Sequence, residues 1–372
     1  MEAEKVLCGV NLGNWLVLEK WMGSSPLAAA RAADDHGLIY ELGIQERNEA
    51  LEAHYSSYVS EKDFAFMAKA GAGIARVPVP YHLFGSDHHP ACVSHLDDAF
   101  CWAERHGIGL LVDLHTVPLS QNGFDNGGYA GVCAWHRDPA RVAYALEVLE
   151  RIASRYAGHP ALWGIEPLNE PVSWPLLMGS LARYGKVGAR GTRRMRNALR
   201  SRAVPLDWLR RFYKEFYDRV RPIAGRDVQL VFHDRFSLRS WEDWHPSPTD
   251  DNVWIDTHQY VCFADTHMGR KDLAEHLRTV GRKGREIARA ARFHRVMVGE
   301  WCLGNHADEL SQLDEDARRA WYSSFADAQL KAWSQGGGNC FWSLRVAGEH
   351  RANWSFEECV RRGWLVLGTA KA

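Results

Sequence analysis

Two glutamates close short apolar runs in this chain: Glu170 at the end of GIEPLNE (residues 164–170) and Glu300 at the end of VMVGE (296–300). A lone glutamate in such a place is ordinarily half of an ion pair. Two in matching apolar settings, one beside Asn169 and the other beside Trp301, suit work on a single bond. Cleaving a glycosidic bond takes such a pair, one acid to protonate the leaving oxygen and one carboxylate to attack or to activate water. A non-catalytic carbohydrate-binding barrel, the reading from another class, has no need of both.

Residues so far apart in sequence need a fold that returns them to one place. Short β-rich runs recur along the chain, KVLCGVNLG, GIARVPVP, GIGLLVDLH, ALWGIEPLNE, VQLVFHD, NVWIDTHQY, VMVGEW and GNCFWSL. Helical patterns lie between them, EKDFAFMAKA, SHLDDAFCWAERHG, DPARVAYALEVLERIASRYAG and LDWLRRFYKEFYDRVRPIAG among others. Eight strands with intervening helices predict an α/β fold, a single-domain (β/α)8 TIM barrel over residues 1–372, with an open doubly wound sheet as the runner-up. In the barrel, function gathers where strands end at the C-terminal face. Those ends read Asn11, Arg76, His115, Asn169 with Glu170, His233 with Asp234, His258 with Tyr260, Glu300, and Trp342. A polar cap on nearly every strand is costly without a ligand to engage.

Lys and Arg number 45 against 46 Asp and Glu, which argues against a global attraction to nucleic acid or to anionic membrane. No apolar stretch approaches the roughly 20 residues that cross a bilayer. The opening MEAEKVLCGV lacks the basic start and apolar run of a secretory signal, which predicts a cytoplasmic protein. Eight widely spaced cysteines without a CxxC pair read as buried, reduced thiols. The 16 tryptophans allow aromatic platforms for a ligand as well as core. Scattered histidines such as His88 and His89 make no metal-ligand set, so neither a metal nor an organic cofactor is expected. Oligomeric state is not fixed by any of these features.

LNEP (168–171) and VGEW (298–301) resemble the acid/base and nucleophile motifs of glycoside hydrolase family 5, retaining enzymes on a (β/α)8 barrel. GVNLGNWLVLEKW (9–21) and LHTVPLSQNGFDNGG (114–128) are similar to stretches of its exo-β-1,3-glucanase branch. The resemblance implies Glu170 as general acid/base and Glu300 as nucleophile. It implies that Arg76 keeps Glu300 ionised, that Asn169 binds the sugar 2-hydroxyl and that Tyr260 donates to Glu300. His115 and His258 would brace the first sugar subsite, with the Trp342 ring beneath the sugar. Glu19, Asp125 and Asn126 would close the non-reducing end, and Phe124 and Phe263 would flank the entrance, so that residues 115–128 turn a cleft into a pocket. These roles ask for a raised pKa at Glu170 and carboxyl groups about 5 to 5.5 Å apart.

Two stretches depart from that branch. Residues 22–43, MGSSPLAAARAADDHGLIYELG, are unlike it, and an insertion at about 173–205 after the fourth strand contains RYGKVGARGTRRMRNALRSR (183–202), with eight Lys and Arg and no acid. The bland reading of that insertion is a solvated lid; the sharper one is contact with an anionic group. The expected substrate is a short β-linked oligosaccharide, most simply a β-glucoside, with a β-mannoside such as mannosyl-β-1,4-N-acetylglucosamine as the alternative.

Overall fold

The β-rich runs become eight parallel strands. The computed structural model describes residues 6–368 apart from 87, 189–191, 265–267 and 269–270, and does not describe the side chains of 184–195 and 349–350. The strands are β1 (Leu7–Asn11), β2 (Ile74–Val79), β3 (Gly109–Leu114), β4 (Leu162–Glu166), β5 (Gln229–His233), β6 (Val253–His258), β7 (Arg295–Trp301) and β8 (Gly337–Phe341). They pair in sequence order, and β8 returns to β1 to close the single-domain (β/α)8 barrel.

Helices expected ahead of β2, β3, β4 and β5 form at Glu61–Lys69, Val93–His106, Pro139–Tyr156 and Leu206–Ala224. Their local logic is plain at Pro139–Tyr156. The Asp138 carboxylate accepts the Ala140 N–H, and Pro139 sits where no intrahelical donor is needed. Leu146, Leu149, Ile152 and Tyr156 then recur on one buried face. Full burial of such side chains contributes about 1.5–3 kcal/mol each.

The two-residue period of the strands decides what fills the barrel. Ile74, Leu111, Val231, Trp254, Met297 and Cys340 form a small apolar cluster, while Ala75, Val77 and Val79 join the larger shell beneath the helices. Two residues further along the same strands come Arg76, Asp113, His233, Asp256 and Gly299. The first four of these are fully buried. An apolar floor is thus followed by a charged layer, and that layer supports the mouth.

Two expected positions need correction. Arg76 lies inside β2, not at its end, because the polar layer begins one inward-facing step above the floor. β4 stops at Glu166, since Pro167 has no N–H to donate to the ladder, which leaves Asn169 and Glu170 on the following loop. The basic insertion contributes helices at Trp174–Gly188 and Thr192–Leu199, while 189–191 lie outside the described residues. Among the described residues no helix is long and apolar enough to cross a membrane.

Candidate active site

Arg76 is the hub. Its Nη1 donates to Glu300 Oε1 at 2.9 Å and to Asn11 Oδ1 at 3.1 Å, its Nε to Glu166 Oε2 at 2.8 Å, and its Nη2 to Asn169 Oδ1 at 2.9 Å. Asp113 Oδ2 stands 3.1 Å from Nη2. One buried cation therefore serves three carboxylates. Glu166 and Asp113 are absent from the residues the sequence singled out, yet both were signalled by a charge inside an apolar run (GIEP, LVDL). By accepting from Arg76, the Asn169 side chain fixes its own orientation and turns its amide towards His115 Nε2, 3.3 Å away. His115 Nδ1 lies 2.6 Å from Asp113 Oδ2, and its ring stacks with Trp342 at 5.7 Å between centroids.

Glu300 stands where β7 loses register with β8, between Val298 and Trp301. Irregularities of this kind re-aim side chains beside active sites. Gly299 is obligatory: a Cβ there would lie 2.1 Å from Asp256 Oδ2, and its N–H donates to Asp256 Oδ1 at 2.6 Å. Tyr260 donates its hydroxyl to Glu300 Oε2 at 2.7 Å, as the sequence implied. Across the mouth, Glu170 adopts φ +48°, a left-handed conformation that costs a non-glycine residue energy and is typical of functional positions. Its Oε2 accepts from Asn126 Nδ2 at 2.8 Å.

His258 joins the two glutamates. Its Nδ1 is 2.7 Å from Glu170 Oε1 and 3.3 Å from Glu300 Oε2, while Nε2 is 3.2 Å from Asp256 Oδ2. Those glutamate oxygens are therefore separated by no more than 6.0 Å, the sum of the two Nδ1 distances. The two carboxyl groups thus meet around a single imidazole nitrogen, as two groups acting on one bond must. Burial works against a charged His258, but Glu300 and Asp256 outweigh it and hold the imidazolium well above its usual range.

The raised pKa expected for Glu170 is not found. Burial raises it, but the hydrogen bond and charge of His258, with the Asn126 amide, bring it below the usual carboxylate value. Burial instead pushes Glu300 up, with His258 and Arg76 as partial offsets. The available proton accordingly rests on His258, next to Glu170.

The outer residues come from loops. Glu19 is buried, accepts the Trp21 indole N–H at 2.6 Å, and leaves Oε1 without a hydrogen-bond partner among the described residues. Burial and the charge of Asp125 raise its pKa well above the usual value. Asp125 and Asn126 occupy one turn of 3-10 helix, Asp125–Gly127, preceded by the half-buried Phe124. Phe263 is 66% exposed, with its ring centroid 5.3 Å from that of Tyr260. Trp354, not singled out from the sequence, stacks on Tyr260 at 5.3 Å and meets Trp21 edge-on at 5.0 Å. The two departing stretches meet beside this mouth: His36, Ile39 and Tyr40 from one, and Arg196 and Arg200 from the other, line a cavity of about 590 Å³.

Two glutamates meeting at the C-terminal mouth of a (β/α)8 barrel define the class of a glycoside hydrolase. No protein-family model matches the chain. It is 34% identical over 306 residues to a probable glucan 1,3-β-glucosidase A of Emericella nidulans, covering 80% of this chain and 67% of that one. It shares its fold with a rutinosidase from Aspergillus niger, with a TM-score of 0.72 at 22% identity over 96% of this chain and 97% of the other. It also shares it with a glycoside hydrolase family 5 enzyme from Prevotella bryantii B14, with a TM-score of 0.57 at 14% identity over 98% and 99%. The chain belongs to the glucan 1,3-β-glucosidases of glycoside hydrolase family 5. It is a retaining glycosidase of the exo-β-1,3-glucanase type, and the β-mannosidase and non-catalytic alternatives are not favoured.

Proposed function

We propose that this enzyme removes single β-glucosyl units from the non-reducing end of short oligosaccharides, with Glu300 as nucleophile and Glu170 as acid/base. The observation that carries the assignment is the meeting of the two carboxylates around one nitrogen of His258, with Glu170 Oε1 and Glu300 Oε2 no more than 6.0 Å apart. Arg76 and Tyr260 each hold one oxygen of Glu300, which supports attack on the anomeric carbon from a fixed direction. As the C1–O bond breaks, the departing oxygen takes a proton from Glu170. That proton comes to Glu170 from His258 across 2.7 Å as the bond begins to break, so that Glu170 ends the step as a carboxylate and His258 as a neutral imidazole.

The second step reverses the roles. Water gives a proton to Glu170 and its oxygen to C1, and Glu300 leaves as a carboxylate. Ester formation at Glu300 removes a negative neighbour, which lowers the pKa of Glu170 and leaves it ionised to accept the water's proton at that stage. Asn169 would meet the sugar 2-hydroxyl and Trp342 the sugar face. The partnerless Oε1 of Glu19 supports a hydroxyl donor at the closed end.

The test is proton NMR of methyl β-laminaribioside turnover, in which the only free glucose comes from the non-reducing end. β-Glucose should appear first, with the α-anomer following only by mutarotation. α-Glucose as first product, or no cleavage, would overturn the reading.

A further inference from the structure

Away from the two glutamates, three potential ligands converge where the first departing stretch meets the loop after β2. Asp35 opens the helix Asp35–Leu42, and His82 and His89 lie on that loop. The two imidazoles stack with centroids 3.9 Å apart, and each Nε2 lies 3.4 Å from the same oxygen, Asp35 Oδ2. All three ligand atoms fall within 4.8 Å of one another. The histidine side chains are 5% and 6% exposed and that of Asp35 14%.

A separation of 3.4 Å is long for a hydrogen bond. It matches the edge of a tetrahedron whose centre lies about 2.0–2.1 Å from each corner, the length of zinc bonds to nitrogen and oxygen. Asp35 Oδ1 and His82 Nδ1 are buried without hydrogen-bond partners among the described residues. A carboxylate so placed calls for a cation. Arg47, whose charge acts on Asp35, is hydrogen-bonded to Asn48 Oδ1 and to the His88 carbonyl and does not bond Asp35. Ser86 Oγ stands 3.3 Å from His89 Nδ1, the kind of outer partner that orients a metal-binding imidazole.

We propose that Asp35, His82 and His89 form a zinc site that ties the segment around residue 35 to the barrel. Two imidazoles and one carboxylate suit zinc over magnesium or calcium, which prefer all-oxygen ligation. Three protein ligands leave one position for water or an anion. His89 also lines the 590 Å³ cavity, whose wall carries Arg141, Arg196 and Arg200, so an anionic fourth ligand has complementary charge at hand. His82 and Asp35 approach His89 only through loop geometry, which no spacing in the sequence signals.

The test uses tag-free, full-length protein, stripped with chelator and re-equilibrated with zinc, with metal content measured by mass spectrometry after gel filtration. The wild type should retain about one zinc per chain, and His89→Gln and Asp35→Asn less than about a tenth of that. Cobalt(II) should give the intense visible bands of a tetrahedral site in the wild type, a reading that stands even where a variant fails to fold. Glu170→Gln should keep its zinc, because Glu170, His233 and His258 make the other possible ligand group and lie in the active site. No zinc on the wild type, unchanged zinc in His89→Gln, or zinc lost in Glu170→Gln would each overturn the proposal.

Discussion

Glu300 is held by strands, within β7 and against Arg76 from β2, whereas the residues around the sugar-binding end are held by loops, Glu19 after β1 and Asp125 and Asn126 after β3. The strand side is a charge network in which Arg76, Glu166 and Asp113 are fully buried and the carboxylates share one cation. Buried acceptors without a hydrogen-bond partner among the described residues occur on both sides, Glu166 Oε1 and Asp113 Oδ1 on the strand side and Glu19 Oε1 on the loop side, but the loop side also carries the outlying Phe263 ring. On the function proposed above, this amounts to a division of labour in which the barrel fixes the reaction and the loops choose what reaches it. Substitutions on the strand side should therefore damage every substrate alike. Those on the loop side should change the ranking of substrates.

The largest effect belongs to Glu300→Ala, which should lower kcat by about four to six orders of magnitude on all substrates, with the fold kept as read by circular dichroism. A loss confined to one substrate would dissolve the division. Arg76→Met should come next, destabilising the protein by about 3–5 kcal/mol in denaturant titration, because Glu166, Asp113 and Glu300 lose their shared cation. On the loop side, Glu19→Ala should cost about 10- to 100-fold in kcat/KM, mostly in KM. If a sugar hydroxyl donates to Glu19, as proposed above, that loss should be smaller for substrates lacking it.

The smallest change is a shift in pH profile. Burial raises Glu300, and it must be ionised to attack, so activity falls as pH drops through a value above the usual carboxylate range. His258→Gln removes a cation that lowers the Glu300 pKa. The acid limb of kcat/KM should therefore move to higher pH. A move to lower pH would show that His258 is not charged beside Glu300.

The strand side was the more legible in sequence. Strands announce themselves as short apolar runs, and Glu170 and Glu300 stand out against them. Glu166, Asp113 and Asp256 carried the same signal, a charge amid a buried run, but the inward-facing period was needed to see that the first two meet Arg76 and the third His258. The pKa order was not legible, since it follows from His258 lying between two glutamates from different strands' ends. Trp354 stacking on Tyr260, and Asp35 meeting His82 and His89, depend on irregular segments with no period to read.

Trapping the covalent intermediate tests the central claim most directly. A 2-deoxy-2-fluoro-β-glucoside with a good leaving group should form a glycosyl ester and then hydrolyse slowly, so that peptide mass spectrometry finds one added fluoroglucosyl group. That group is expected on Glu300, in the peptide containing VMVGEW. A label on Glu170 or Glu19, or turnover with no covalent species, would contradict it.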